Sequence, residues 1–179
     1  MGMSKTFVTK RPIVERMTGL SGKAGADAPL GDVTVDDATI FMTEFKNGAL
    51  GVFEATRFAA GHKNDMSFEI NGDKGSLKFS FERMNELWYM SREDEEGLQG
   101  FRLIQASEGC HNYAANWWPA GHVLGYENTF AHEFYEFYEA IANDKPTCPS
   151  FEDGVKCCQV LDAVDLSCER RAWVNVDEV

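Results

Sequence analysis

MSFEINGDKGSLKFSFE, residues 66–82, is the stretch that decides the fold. Its second half alternates large apolar side chains with polar ones, namely Leu77, Phe79 and Phe81 against Lys78, Ser80 and Glu82. An alternation with a period of two predicts a β-strand with one covered face. The segment between Asn71 and Gly75 is rich in turn-forming residues, so the whole stretch predicts two antiparallel strands joined by a tight turn.

Strand patterns continue on both sides of this hairpin. Four more strands are predicted, at residues 39–45, 49–56, 86–90 and 101–106. The Asn47-Gly48 pair between the first two predicts a type I′ turn, because both turn positions then need a positive φ. The charge run at 92–97 is typical of a solvated turn. Residues 33–106 are therefore predicted to form a meander of antiparallel strands.

The last third of the chain has the 3.6-residue period of helices. A first helix is predicted over 126–142, and its inner face toward the sheet consists of Tyr126, Phe130, Phe134, Phe137, Tyr138 and Ile141. A second helix is predicted over 151–170, because Ser150 and Asp153 form a start resembling a capping box. Its predicted inner face consists of Cys157, Leu161, Val164 and Cys168. A short strand is predicted at 172–176.

This order of elements predicts the fold class and the domain organisation. Strands followed by helices, without βαβ alternation, predict an α+β fold with a largely antiparallel, open-faced sheet and two long helices packed on one face. Residues 1–32 are predicted to hold an N-terminal edge strand, within Thr6–Thr9 and Pro12–Val14, and a flexible glycine-rich loop at 18–32. Residues 33–179 then form the main domain.

Composition excludes several classes of protein. The 179 residues include 17 Lys and Arg against 29 Asp and Glu, a formal charge of −12 that disfavours nucleic acid and anionic membranes as partners. No apolar run reaches the roughly 20 residues of a membrane span, and no signal peptide is recognisable. The five cysteines are typical of reduced thiols in the cytoplasm, and their spacing does not predict a zinc site, so no metal is expected.

Several catalytic motifs are missing or incomplete. The spacing Gly19-x-x-Gly22-x-x-Gly25 lies in a predicted loop rather than between a strand and a helix, so it does not predict a dinucleotide site. The segment 132–136 resembles the zinc-peptidase motif H-E-x-x-H, but Glu136 stands where the second imidazole is needed. Neither a phosphate-binding loop with its lysine nor a serine nucleophile elbow occurs.

Four segments in order resemble the C-terminal domain of the Gfo/Idh/MocA oxidoreductases, the family of glucose-fructose oxidoreductase and inositol dehydrogenase. They are Val33–Asp37 with the hairpin through Arg57, then Phe68–Leu77, then Trp118–Tyr126, and finally Pro149–Gly154 through Trp173-Val174. The resemblance covers residues 33–176. It implies an α+β domain of the kind that follows the Rossmann domain in dihydrodipicolinate and glyceraldehyde-phosphate dehydrogenases.

The resemblance also implies what this chain does and what it lacks. Family members bind NAD or NADP in an N-terminal Rossmann domain, which supplies a catalytic lysine in an E-K-P motif, and a D-x-x-x-H motif follows it. Neither motif is present here, and Asp144-Lys145-Pro146 is more simply a helix terminator. The chain is therefore expected to be a substrate-binding and dimerisation domain acting on a sugar, sugar derivative or cyclitol. As an isolated fragment it is expected to be inactive and to have neither a cofactor site nor a catalytic residue.

The substrate wall is expected in the loop before the first helix. His122 lies in a segment that matches the family pattern G-H-P-x-G-Y, with Val123 in place of proline. Its imidazole could bond a sugar hydroxyl, as could the hydroxyl of Tyr126, while the ring of Trp118 could stack on a sugar. The alternative is that His122 only bonds a backbone carbonyl and that the aromatic residues, including Trp88 and Trp117, are packing residues.

A second group of candidates follows the strand at 49–56. Arg57, with His62 and Asn64 in the next loop, could reach a substrate hydroxyl or carboxylate. The alternative for Arg57 is a surface ion pair, for example with Glu54. Cys110-His111 could be considered a nucleophile and its base, but adjacent residues rarely face each other.

Apolar residues on both sheet faces predict a second cover, and a second copy of the chain would provide it. A homodimer through the open sheet face is therefore expected, as the resemblance also implies. The competing hypothesis is a free-standing binding or dimerisation module without any cofactor.

Overall fold

The computed structural model describes residues 1–14, 17 and 22–179. Its strands are β1 (Gly2–Lys5), β2 (Lys10–Pro12), β3 (Leu30–Asp32), β4 (Ala38–Glu44), β5 (Leu50–Thr56), β6 (Ser67–Asn71), β7 (Gly75–Ser80), β8 (Glu86–Ser91) and β9 (Arg102–Gln105). Its two α-helices are α1 (Tyr126–Ala142) and α2 (Phe151–Arg170). All strand pairs are antiparallel, which confirms the α+β fold class.

The predicted meander is divided between two compact units. Unit 1 consists of residues 1–60 and 149–179, and unit 2 of residues 61–148. Unit 1 contains the sheets β1-β4-β5 and β2-β3 together with α2, whereas unit 2 contains the sheet β6-β7-β8-β9 together with α1. Each described helix therefore belongs to a different unit, with antiparallel strands of its own. The functional division at residue 32 stays a prediction.

The decisive hairpin forms as predicted, from β6 and β7. Phe68 pairs with Phe79 and Ile70 with Leu77, so the alternating apolar residues of β6 and β7 share one face of the sheet. The turn is closed by the Gly72 N–H, which donates to the Gly75 carbonyl at 2.9 Å. The alternation of apolar and polar residues was sufficient to predict this hairpin, because residues paired across the two strands lie on the same face of the sheet.

The turn at Asn47-Gly48 is not the predicted type I′ turn. Gly48 has a positive φ of 85°, whereas Asn47 does not. The Gly48 N–H donates to the Phe45 carbonyl at 2.8 Å, and the Phe45 N–H donates to the Ala49 carbonyl at 2.9 Å. This is a three-residue connection with one left-handed glycine, which Asn47 supports by accepting the Ala49 N–H on its side-chain oxygen at 3.1 Å.

The N-terminal region forms strands at positions other than those predicted. β1 begins before the predicted strand Thr6–Thr9 and pairs with β4, while β2 covers only the start of the predicted Pro12–Val14 strand. β3 lies at the end of the predicted loop 18–32 and pairs with β2. Residues 18–21 of that loop lie outside the described residues. Backbone pairing with a neighbour, rather than side-chain pattern, therefore creates β1 and β3.

Helix α2 packs closely on β1 through small side chains. Ala163, Val164 and Ser167 are buried, and the Ser167 hydroxyl accepts the Gly2 N–H at 3.0 Å. A Cβ on Gly2 would lie 3.0 Å from the Cys168 sulfur, so glycine allows the close approach. Leu161 and Cys157 of the predicted inner face line an apolar groove with Phe41 and Met42 but are exposed there rather than buried.

The helix ends follow their sequence signals. At the start of α2, Ser150 and Asp153 form a reciprocal capping box, as predicted. The predicted strand at 172–176 is wrong, because these residues form a turn and a short 3₁₀ segment at Val176–Glu178. Helix α1 has no buried residue, and its large apolar side chains are exposed rather than in the predicted contact with the sheet. Among the described residues, neither helix is both long and apolar enough to cross a bilayer.

Candidate functional site

The loop that carries His122 is held in place from two sides within unit 2. Asn85 mimics a paired strand: its side-chain amide donates to the Leu124 carbonyl at 2.8 Å, and its side-chain oxygen accepts the Leu124 N–H at 2.9 Å. The buried Ser107 hydroxyl accepts the Gly121 N–H at 3.1 Å. Gly121 has a φ of 89°, a conformation that favours glycine. The loop is therefore fixed by the protein's own contacts even though it is exposed.

His122 has one ring nitrogen engaged and one available. Its Nδ1 lies 2.8 Å from the Pro119 carbonyl, which can only accept, so Nδ1 carries the proton in this pair. Nε2 is then an acceptor on an exposed side chain. The alternative interpretation of His122, a bond to a backbone carbonyl, is thus observed. This bond orients the ring and uses only Nδ1. Trp118 is exposed, and its ring centroid lies 6.3 Å from that of His122.

Tyr126 lies at the start of α1 and is also exposed. Its ring contacts Phe81 and Phe130 edge to face, at centroid distances of 5.8 and 5.2 Å. These contacts fix the ring and leave its hydroxyl without a hydrogen-bond partner among the described residues. Along the loop 118–126, Trp118, His122 and Tyr126 are all exposed, and Trp118 lies next to His122.

Asn64 lies in a second loop of the same unit. Its backbone N–H donates to Glu82 Oε1 at 3.2 Å, as does the N–H of Lys63 at 2.5 Å. This carboxylate holds the loop against the end of β7 and leaves the Asn64 side chain exposed. The two N–H donors lower the pKa of Glu82, because they stabilise the charged form.

The Glu82 carboxylate also belongs to a cluster that the sequence did not predict. His62 Nδ1 lies 3.4 Å from Asp65 Oδ2 and 3.4 Å from Glu82 Oε2. The sequence pointed to His62, together with Asn64, as a residue that could reach a substrate. It gave no reason to name Asp65 or Glu82. The three-residue spacing of His62 and Asp65 was visible in the sequence, whereas Glu82 joins them only because the β6–β7 hairpin returns the chain.

Arg57 lies in unit 1, directly after β5. Its backbone N–H donates to the Asp37 carbonyl at 3.0 Å, and its side chain is exposed. Among the described residues no ion pair joins it to Glu54, so the guanidinium is available to an anionic or polar group. Its charge contributes to the lowered pKa of Asp37, after larger contributions that include the Val8 N–H.

The remaining aromatic and imidazole candidates have partners of their own. Trp117 Nε1 donates to His132 Nε2 at 2.7 Å, and the ring of Tyr113 stacks on His132 at a centroid distance of 4.2 Å. His111 Nδ1 accepts the Glu108 N–H at 3.0 Å, so its ring does not act as a base toward Cys110 through that nitrogen. These groups stabilise the segment 107–117 against α1.

Comparisons with known proteins agree with each other. A family model described as the oxidoreductase family C-terminal alpha/beta domain matches residues 2–176. Levoglucosan dehydrogenase of Pseudarthrobacter phenanthrenivorans is 35% identical over 176 residues, which are 97% of this chain and 45% of that protein.

Solved structures give the same result. An oxidoreductase domain protein from Kribbella flavida has a TM-score of 0.88 and 47% identity, over 98% of this chain and 44% of that one. Levoglucosan dehydrogenase in complex with NADH and L-sorbose has a TM-score of 0.87 and 34% identity, over 98% of this chain and 44% of that one. The chain thus spans less than half the length of these relatives.

Proposed function

The chain belongs to the Gfo/Idh/MocA oxidoreductases as their C-terminal alpha/beta domain, and from that membership we propose that it is the substrate-binding and oligomerisation domain of an NAD(P)-dependent oxidoreductase acting on a sugar, sugar derivative or cyclitol. The similarity to levoglucosan dehydrogenase, which has been solved with NADH and a sugar, carries this proposal. The isolated chain is proposed to be inactive, because the lysine and nucleotide motifs typical of the family do not occur in it.

The division of labour follows from what hydride transfer requires. A bound nicotinamide supplies the hydride acceptor or donor, and the reacting carbon of the substrate must be held close to it. The residues of this chain are proposed to bind the substrate and to orient its reacting carbon toward the nicotinamide. A polyol presents several hydroxyl groups, so it is oriented by a few fixed polar groups next to an aromatic surface.

The loop 118–126 fits that requirement. In the proposal, His122 Nε2 accepts a hydrogen bond from a substrate hydroxyl, because Nδ1 is already bound to the Pro119 carbonyl. Tyr126 offers its hydroxyl, and Trp118 offers an exposed ring to the apolar face of a sugar. Asn64 and Arg57 are proposed as further substrate-binding residues, each on a backbone fixed by hydrogen bonds.

Dimerisation is proposed through the sheet of unit 1. One face of β4 and β5 carries the exposed apolar residues Ile40, Met42, Leu50 and Val52, with Glu44 and Glu54 at its two ends. Exposed apolar residues that lie side by side and are rimmed by polar ones are typical of an interaction surface. Sedimentation at micromolar concentration tests this point: a dimer is expected, and a monomer mass would contradict it.

The catalytic proposal is tested on the whole protein that carries this chain. Levoglucosan, L-sorbose and myo-inositol are offered with NAD or NADP, or with the reduced forms, while the absorbance of reduced nicotinamide is followed. Turnover of at least one of them is expected. His122→Ala is expected to lower kcat/KM by about 10–100-fold, because a hydrogen bond to the substrate is lost.

The matched control is His111→Ala, whose ring is engaged with the Glu108 N–H in a neighbouring segment. This variant should keep kcat/KM within about twofold. For the 179 residues alone, calorimetry with NADH is expected to show no binding. Micromolar NADH affinity of the chain, or equal losses in both histidine variants, would overturn the proposal in favour of a different site.

A further inference from the structure

The cluster of His62, Asp65 and Glu82 places one imidazole nitrogen between two carboxylates. Nδ1 of the imidazole lies at the same distance, 3.4 Å, from one oxygen of each carboxylate. That distance is longer than the usual 2.7–2.9 Å, roughly, of a charge-assisted N–H···O bond. A ring nitrogen that favoured one carboxylate would approach it and leave the other. The imidazole instead faces both oxygens equally.

Each carboxylate is fixed through its other oxygen. Asp65 Oδ1 accepts the Ser80 hydroxyl at 2.8 Å and the Glu82 N–H at 3.5 Å. Glu82 Oε1 accepts the N–H groups of Lys63 and Asn64. Hydrogen bonds of this kind orient carboxylates in metal sites, where they form a second layer around the ligands. Oδ2 of Asp65 and Oε2 of Glu82 are the oxygens left to face His62.

The distance from the imidazole nitrogen to each carboxylate oxygen, 3.4 Å, fits two ligands of a tetrahedral ion. Zinc is bound at about 2.0–2.2 Å by imidazole nitrogen and carboxylate oxygen, and two such ligands at a tetrahedral angle lie roughly 3.4 Å apart. Nδ1, Oδ2 and Oε2 all lie within 4.8 Å of one another. On this geometry we propose that His62, Asp65 and Glu82 form a binding site for a divalent transition-metal ion of the zinc class, with a fourth position open to water.

Charge and burial agree with such an ion. Two carboxylates and a neutral imidazole balance the two positive charges of the metal, so the loaded site is neutral. The Asp65 side chain is only 10% exposed, while that of His62 is 61% exposed, so one ligand is anchored in the unit and another faces the entry path. A mixture of one nitrogen and two oxygen ligands favours zinc, iron or cobalt over magnesium or calcium.

This site requires neither a sugar nor a nicotinamide, so it is tested on the 179-residue chain without either. The four exposed cysteines, Cys110, Cys148, Cys157 and Cys158, are replaced by serine so that thiols do not compete for the metal. Cobalt(II) is then titrated as the probe and followed by visible absorption and calorimetry. One ion per chain is expected, with intense d–d bands of a tetrahedral site and no thiolate charge-transfer band.

Two variants and a control decide the outcome. His62→Ala and Glu82→Gln are each expected to weaken cobalt binding by about 10–100-fold or more. The amide introduced by Glu82→Gln retains an oxygen that accepts the two loop N–H groups, so the loop stays folded. His132→Ala, whose imidazole is bound to Trp117, should bind cobalt as the parent does. Absence of binding, or the same affinity in all of these proteins, would overturn the proposal.

Discussion

Asp37 in unit 1 and Asp65 in unit 2 are both largely buried carboxylates held by hydrogen bonds, yet they differ in what their second oxygen faces. Asp37 Oδ2 accepts the N–H groups of Phe7 and Val8 at 2.8 and 2.9 Å, and Oδ1 lies 3.4 Å from the Arg11 guanidinium. Asp65 is held by the Ser80 hydroxyl at Oδ1, and its Oδ2 lies 3.4 Å from the exposed imidazole of His62. A carboxylate with both oxygens engaged stabilises the fold, whereas one with an oxygen left over is available for binding.

The same difference appears in the causes of the pKa shifts. The pKa of Asp37 is lowered first by the Val8 N–H, then by the Phe7 N–H and by nearby arginines, against the opposing effect of burial. The pKa of Asp65 is lowered first by the Ser80 hydroxyl, again against burial. Both groups are therefore charged at neutral pH. Asp37 accepts two close backbone N–H groups, those of Phe7 and Val8, whereas Asp65 accepts one distant one, that of Glu82 at 3.5 Å.

The largest effect is expected for Asp37→Ala. The substitution leaves the N–H groups of Phe7 and Val8 without their acceptor and the connection from β1 to β4 without its anchor. Since the Asp37 side chain is fully buried, the melting temperature should fall by about 5–10 °C, measured by calorimetry or circular dichroism.

The adjacent Asp36 provides a matched control, because it is exposed and accepts one hydrogen bond, from the Thr39 hydroxyl at 2.6 Å. Asp36→Ala should lower the melting temperature by no more than about 2 °C. Equal losses in the two variants would mean that burial and backbone hydrogen bonds do not separate these carboxylates.

The next effect is the pH dependence of stability. The folded-state pKa of Asp37 lies below its unfolded value, so the stability it contributes is present above roughly pH 4 and is lost as the pH falls through the folded pKa. The melting temperature of the parent chain should therefore decline below about pH 4. In Asp37→Asn it should start lower and decline less steeply.

The slope in Asp37→Asn should shrink without vanishing, since the pKa values of Asp65, Glu82 and Asp153 are lowered as well. Melting curves at several pH values between neutrality and acid measure both slopes. An unchanged acid slope in the variant would show that Asp37 does not gain its charge stabilisation in the folded state.

The sequence predicted elements whose signal is local and missed those that depend on pairing. The hairpin at 66–82 and both helices were predicted because alternation, helical period and capping residues lie within one segment. β1 and β3 were missed because their pairing partners lie elsewhere in the chain. The turn at Asn47-Gly48 has the right place and the wrong type, since the pair also fits a connection in which only Gly48 has a positive φ.

The helical period likewise predicted the position of both helices but not which of their side chains are buried. Leu161 is exposed on the predicted inner face of α2 for a physical reason: β1 approaches α2 closely at Gly2, and the residues buried at that contact are small. For the site, the residues of loop 118–126 could be named from a motif. The cluster at His62 could not, because strand register brings Glu82 beside Asp65, which lies 17 positions earlier in the chain.

The smallest effect on stability is expected for His62→Ala, and it sharpens the comparison most directly. The imidazole is 61% exposed and lies 3.4 Å from each carboxylate, so removing it in the absence of metal should change the melting temperature by less than about 2 °C. Calorimetry in the presence of a chelator measures this. A loss as large as that of Asp37→Ala would make His62 a structural clamp between Asp65 and Glu82, and the two carboxylate centres would then have the same role. The other outcome is a small difference in melting temperature between the parent and the variant without metal and a larger difference in excess cobalt. It would show that His62 contributes to metal binding, because a ligand stabilises only a protein that binds it.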